Sequence, residues 1–92
     1  MYLGEALGAT RAGEKVARVG WNGKDMWIAQ EAGVKSLDSE KFWNKHTRKF
    51  AEENGGSAEV LPYMIMKPAH KHLIGWLASQ SDMAADDWEV VS

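Results

Sequence analysis

The period of the apolar positions changes along the chain, and the changes mark its elements. Leu3, Ala6, Leu7 and Thr10 recur at helical spacing, which predicts a short helix over about residues 3–12. Gly13 stands where such a helix stops in a left-handed cap. Gly4 and Gly8 weaken the interior by up to ~1 kcal/mol each relative to Ala. From Lys15 to Val19 the period becomes two, with Val16 and Arg18 on one side and Ala17 and Val19 on the other, as in a strand. Asn22-Gly23 is the dipeptide of a tight hairpin turn, and Met26–Gln30 reads as the returning strand.

Residues 31–37 carry no clear period and read as a loop. Asp38 is placed to cap a helix running to about Glu53, with Leu37 and Phe42 as a hydrophobic staple. Phe42, Trp43, His46 and Phe50 form its apolar stripe, and Asn54-Gly55-Gly56-Ser57 ends it. A strand follows over Val60–Lys67, its start pushed to an edge or bulge by Pro62. Pro68-Ala69-His70-Lys71 is a turn, and His72–Leu77 a further strand. Ser79 or Ser81 can cap one short helical turn through Asp82 to Ala85, and Trp88–Val91 closes the chain as a strand. The pattern predicts an α+β fold. It is a small antiparallel sheet with an N-terminal helix, a central helix and one short helical turn near the C-terminus, the helices packed on one face.

Composition narrows the class. Ninety-two residues suit one domain, and 45% apolar with 26% charged residues excludes disorder by composition. A net charge of −2 gives no reason to expect a nucleic-acid polymer, whose binders carry a basic surplus. The absence of cysteine removes disulfides and thiolate chemistry and points to a reducing cytoplasm. No apolar run approaches the ~20 residues of a membrane span, and the start lacks the order of a signal peptide. Five tryptophans in so short a chain exceed what a small core requires and direct attention to binding.

Catalysis finds little support. His70 and His72 would share one face of a strand, but zinc needs three or four ligands and neither cysteine nor a spaced third histidine accompanies them. Ser79, Ser81 and Asp82 lack a nucleophile elbow, and Gly20-Trp21-Asn22-Gly23-Lys24 lacks phosphate-loop spacing. No catalytic residue, metal or cofactor is assigned. Binding fares better. Trp21 and Trp76 stand at strand-to-loop junctions, where a partly exposed ring can stack a planar base. Arg18 can deliver a fork to a phosphate. Asn22, Ser79, Gln80 and Asp82 offer hydrogen bonds for a sugar or a base edge. Core packing is the competing explanation for each ring, and turn formation or capping for Asn22 and Ser79. A structural or protein-interaction module with exposed aromatics is the competing reading of the whole chain.

Three stretches carry a resemblance. Gly4-Glu5-Ala6-Leu7, followed by Arg11-Ala12-Gly13-Glu14-Lys15-Val16-Ala17-Arg18-Val19-Gly20-Trp21-Asn22-Gly23-Lys24, resembles the opening of a small phage and prophage domain. Tyr63-Met64-Ile65-Met66-Lys67 resembles its central strand. Trp76-Leu77-Ala78-Ser79-Gln80-Ser81-Asp82-Met83-Ala84-Ala85-Asp86-Asp87-Trp88-Glu89-Val90 resembles its closing signature. The family resembled is that of Thoeris anti-defence protein two, sponges for the cyclic ADP-ribose-type messenger of a bacterial immune system. Residues 32–58 fall outside the resembling stretches.

The resemblance implies a homotetramer in the infected host cytoplasm that sequesters glycocyclic ADP-ribose without degrading it. For some members it also implies cyclic dinucleotides at a separate site. Carried onto this chain, it makes one or both of Trp21 and Trp76 platforms for the purine, Arg18 a partner of the pyrophosphate, and Asn22 a reader of a ribose hydroxyl. Ser79–Met83, with Gln80 and Asp82, becomes the main site segment, its first backbone amides offered to a phosphate or hydroxyl. Met83 and Trp88 go to packing or a subunit contact, and Phe42, Trp43 and Phe50 to core or interface.

Overall fold

A computed structural model describes all of residues 1–92. Helix α1 (Leu3–Arg11) starts after Tyr2, whose N–H donates to Glu5 Oε1 at 3.2 Å. It ends as expected at Gly13, with φ +98°, a conformation that costs glycine nothing. The strands are β1 (Lys15–Arg18), β2 (Trp27–Glu31), β3 (Val34–Asp38), β4 (Ser57–Val60), β5 (Tyr63–Lys67), β6 (Ile74–Gly75) and β7 (Trp88–Val91). A 3₁₀ turn covers Ser39–Lys41, α2 spans Lys45–Glu53 and α3 spans Gln80–Ala84. The fold is α+β, with antiparallel sheets and three helices.

The chain divides into two compact units. The first comprises Met1–Glu31 and Tyr63–Ser92, and the second Ala32–Pro62. In the first, five strands form one sheet in the order β6-β5-β2-β1-β7, all pairs antiparallel. Val16 pairs with both Ile28 and Val90, and Ile28 with Met66, so these side chains share one face. Helix α1 covers that face and brings Ala6 against Val16, Ile28 and Trp88, a core of four buried residues. Lys15, Ala17, Trp27, Glu89 and Val91 alternate onto the other face, on which this unit lays no helix. The second unit is a two-stranded ribbon, β3 with β4, accompanied by the 3₁₀ turn and α2.

Several expectations need correction. Residues 31–37 are not a loop: they include most of β3, whose register to β4 shifts between Val34 and Leu37 and so blurs its alternation. The helix expected over 38–53 breaks. Asn44 caps α2 instead of Asp38, its Oδ1 accepting from His46 N–H at 2.8 Å and Thr47 N–H at 3.4 Å. Phe42 stays extended, and its carbonyl accepts from Arg48 Nη2 at 3.1 Å, so a side chain replaces the missing helical partner. Trp43 is consequently fully exposed, Phe50 is exposed, and Ala51 is the buried residue of α2. Neither Trp43 nor Phe50 is core. The strand expected over 60–67 is two strands, interrupted at Leu61-Pro62, because Pro62 removes a donor and biases Leu61. Between β1 and β2 the left-handed residue is Asp25, with φ +56°. The Asn22-Gly23 turn is therefore replaced by a wider loop, whose Asp25 carbonyl accepts from Lys67 Nζ at 2.9 Å.

Candidate functional site

Helix α3 is short, and its cap explains what surrounds it. Ser79 Oγ accepts from Asp82 N–H at 3.1 Å, while Ser79 N–H donates to Asp82 Oδ2 at 3.0 Å. This reciprocal box fixes the carboxylate of Asp82, a residue only 7% exposed. Its Oδ1 accepts from Arg18 Nη1 at 3.0 Å and from Trp21 Nε1 at 3.2 Å. Its backbone carbonyl accepts from Trp88 Nε1 at 3.0 Å. One acidic residue thus joins β1, the loop after it, α3 and β7.

Arg18 is held from a second side by Asp87, whose Oδ1 accepts from Nε at 2.9 Å. Asp87 Oδ2 accepts from Gly20 N–H at 2.8 Å. A Cβ at position 20 would lie 2.8 Å from that same oxygen, so a larger residue there would push the Asp87 carboxylate aside. Burial pushes the Asp82 carboxyl up, but hydrogen bonds from Ser79, Arg18 and Trp21 outweigh it and hold the group below the ordinary carboxylate range. The guanidinium of Arg18 and the amide of Gly20 hold Asp87 below that range as well. Arg18 is raised in turn by Asp87 first and Asp82 second.

Around this polar centre stand three indoles. Trp88 is buried, and both Trp21 and Trp76 meet it edge-on, with centroids 5.2 and 6.0 Å away and interplanar angles of 80° and 82°. Such pairs add about 0.5–1.5 kcal/mol beyond the area they bury. Trp21 and Trp76 are themselves half-buried, so each has ring surface left over.

On the face of the sheet opposite α1, the loop after β1 overhangs a cleft of about 410 Å³, bordered by Lys15, Ala17, Trp21, Asp25, Trp27 and Glu89, among others. The volume lies within the range of small-molecule pockets, roughly 300–1,000 Å³. Lys15 Nζ stands 5.2 Å over the centroid of the Trp27 ring.

The structure therefore brings Arg18, Trp21, Ser79 and Asp82 into one hydrogen-bonded cluster and sets Trp76 against the same buried indole. Asn22 and Gln80 are exposed and make no side-chain hydrogen bond, and Met83 is 48% exposed. The Ser79 amide, which the sequence offered to a phosphate, is taken by Asp82, and the amide of Asp82 by Ser79. Arg18 is committed to two carboxylates. Sequence reasoning missed Asp87, Lys15 and Trp27. Nothing local marks Asp87, which meets Arg18 across 69 residues of chain. Lys15 and Trp27 were legible in principle, since strand alternation puts both opposite the Val16–Ile28 face.

Two comparisons bear on this chain. The family model described as Tad2-like, the Thoeris anti-defense 2-like domain, matches residues 1–91, and so runs through residues 32–58 as well. A protein of Bacillus phage SP01 named Thoeris anti-defense 2 is 33% identical, the alignment covering 100% of this chain and 96% of that protein.

Proposed function

Because the chain belongs to the Thoeris anti-defense 2-like family, we propose that it is a phage anti-Thoeris protein that binds a nucleotide immune signal, glycocyclic ADP-ribose, and sequesters it without degrading it. Cyclic dinucleotides are a second ligand class under the same reading. The protein acts in the cytoplasm of the infected bacterium, as a homotetramer.

The observation that carries this reading is the pair Trp21 and Trp76, half-buried and braced against one buried indole. A ring platform binds well when its orientation is fixed before the ligand arrives. Asn22, Gln80 and Met83 lie exposed near these rings in sequence, available to a ribose, a base edge or a neighbouring subunit. Two carboxylates support sequestration over catalysis in this reading. A general acid or base works best with a pKa near the operating pH, whereas Asp82 and Asp87 are shifted the other way. Oligomerisation is supported by Leu73, Ile74 and Leu77, which are 58%, 56% and 91% exposed, a density of apolar surface that a lone small chain rarely presents.

Calorimetric titration with glycocyclic ADP-ribose tests the reading. Saturable binding is expected, with the ligand recovered intact after denaturation and the affinity of Trp76→Ala lowered by about 1–3 kcal/mol. Consumption of a molar excess of ligand, or no binding, overturns the reading. Light scattering at the 10.2 kDa of a single chain overturns its oligomeric part.

A further inference from the structure

The cation that the sequence offers to a phosphate already has two anions. Arg18 donates to Asp87 at 2.9 Å and to Asp82 at 3.0 Å, and a phosphate brought to it would be the third negative group on one guanidinium. Lys15, on the same strand, is placed differently. No carboxylate lies within 4.0 Å of its ammonium, and its contact is the face of Trp27. An ammonium over an indole gives up little when it turns to an anion.

Lys15 and Trp27 border the cleft under the loop after β1, together with Trp21, Glu89, Ser92 and Arg18, the last already held by its two carboxylates. The pairing of Ala17 with Glu89 and of Lys15 with Val91 puts Glu89 diagonal to Lys15 on that face. The cleft thus combines an aromatic face, an ammonium without a carboxylate partner and a carboxylate at one wall. These match the three parts of a nucleotide, since a base stacks, a phosphate pairs with a cation and a ribose hydroxyl donates to a carboxylate. Asp25, exposed at the rim, is a second acceptor and disfavours a phosphate on its own side, which leaves the Lys15 side for the negative group.

We infer that this cleft holds the phosphate-bearing part of the ligand, with Lys15 as the pairing cation, Trp27 as a ring platform uncovered when Lys15 turns away, and Glu89 as a ribose acceptor. The inference rests on the nucleotide-binding reading above. It assigns the phosphate to Lys15 and leaves Arg18 as a positioning residue that fixes Asp82 and the loop carrying Trp21.

The experiment is titration of glycocyclic ADP-ribose into wild type, Lys15→Ala, Lys15→Arg, Trp27→Phe and Trp27→Leu at two salt concentrations. Melting curves and light scattering first establish that each variant is intact. Lys15→Ala is expected to bind roughly tenfold or more weakly, with a shallower salt dependence, because a charge-assisted contact is lost. Lys15→Arg restores most of the affinity, and Trp27→Phe loses less than Trp27→Leu. If Trp27→Leu does not fold, the Lys15 pair decides, since that side chain is partly exposed and outside the core. Wild-type binding with unchanged affinity in Lys15→Ala overturns the inference and leaves the nucleotide reading standing. No binding by the wild type overturns both.

Discussion

Arg18 Nη1 lies 3.0 Å from Asp82 Oδ1, although 64 residues separate the two in the chain. The pair joins β1 to the segment around α3, and Trp21 donates to the same oxygen. Removing the carboxylate strands three donors at once. Asp82→Ala is therefore expected to lower stability by about 2–4 kcal/mol, and Asp82→Asn by less, since its amide oxygen still accepts. Urea unfolding followed by tryptophan fluorescence measures both. Equal, small losses would mean that the cluster is decoration on a fold held elsewhere.

The same carboxylates set an acid limit. Asp82 and Asp87 both titrate below their ordinary value of 3.8 in the folded chain. The folded state therefore binds fewer protons than the unfolded one in that range, and stability falls with falling pH. Their contribution is complete above the ordinary value, declines below it and is gone once the pH passes the lowered folded values. Unfolding free energy should be flat from pH 7 to about 5 and drop steeply beneath 4. Asp82→Asn should shallow that drop, as read from denaturation midpoints across the series.

Glu31 and Tyr63 are direct partners in the β2–β5 ladder, yet all of Ala32–Pro62 runs between them. Replacing that segment with Asn-Gly turns a long excursion into an ordinary hairpin. The shortened chain is expected to fold, because the core of Ala6, Val16, Ile28 and Trp88 lies wholly outside the excised part. A cooperative melt with a retained near-ultraviolet tryptophan signal is the expected result. A chain that stays unfolded would show that Ala32–Pro62 supplies stability the first unit lacks.

Asn44→Ala should destabilise α2 by about 1 kcal/mol, since Asn44 Oδ1 accepts from two amides at its start. Amide exchange at His46 and Thr47 should quicken, with exchange in β1 unchanged. Uniform exchange across the chain would argue that the two units unfold as one.

How much of this was legible in the sequence depended on where each hydrogen-bonding partner lay. Helix α1, its stop at Gly13, strand β1, the Ser79 cap and strand β7 are written in neighbouring residues, and local pattern found them. The break before α2 was missed because Asp38 and the apolar stripe from Phe42 suggested one helix, whereas Asn44 supplies the cap and Arg48 bonds back to Phe42 O. β3 was hidden by its register shift. For the candidate site, pattern named Arg18, Trp21, Trp76 and Asp82, which do converge. It could not foresee that Arg18 would be matched by Asp87, because that pairing exists only once β7 lies beside β1.

Two ladders in this chain are nested, Val34 with Val60 inside Glu31 with Tyr63. In an unfolded chain the outer pair can meet only by closing the whole intervening segment, and closure entropy grows with the logarithm of loop length. Once β3 and β4 have zipped, their ends are already neighbours and the outer ladder closes over two short stubs. The exposed ribbon thus acts as a clasp on the order of events. Weakening it should register first as slower assembly of β5 onto β2, and so as a longer interval in which β2 of a newly made chain has one open edge.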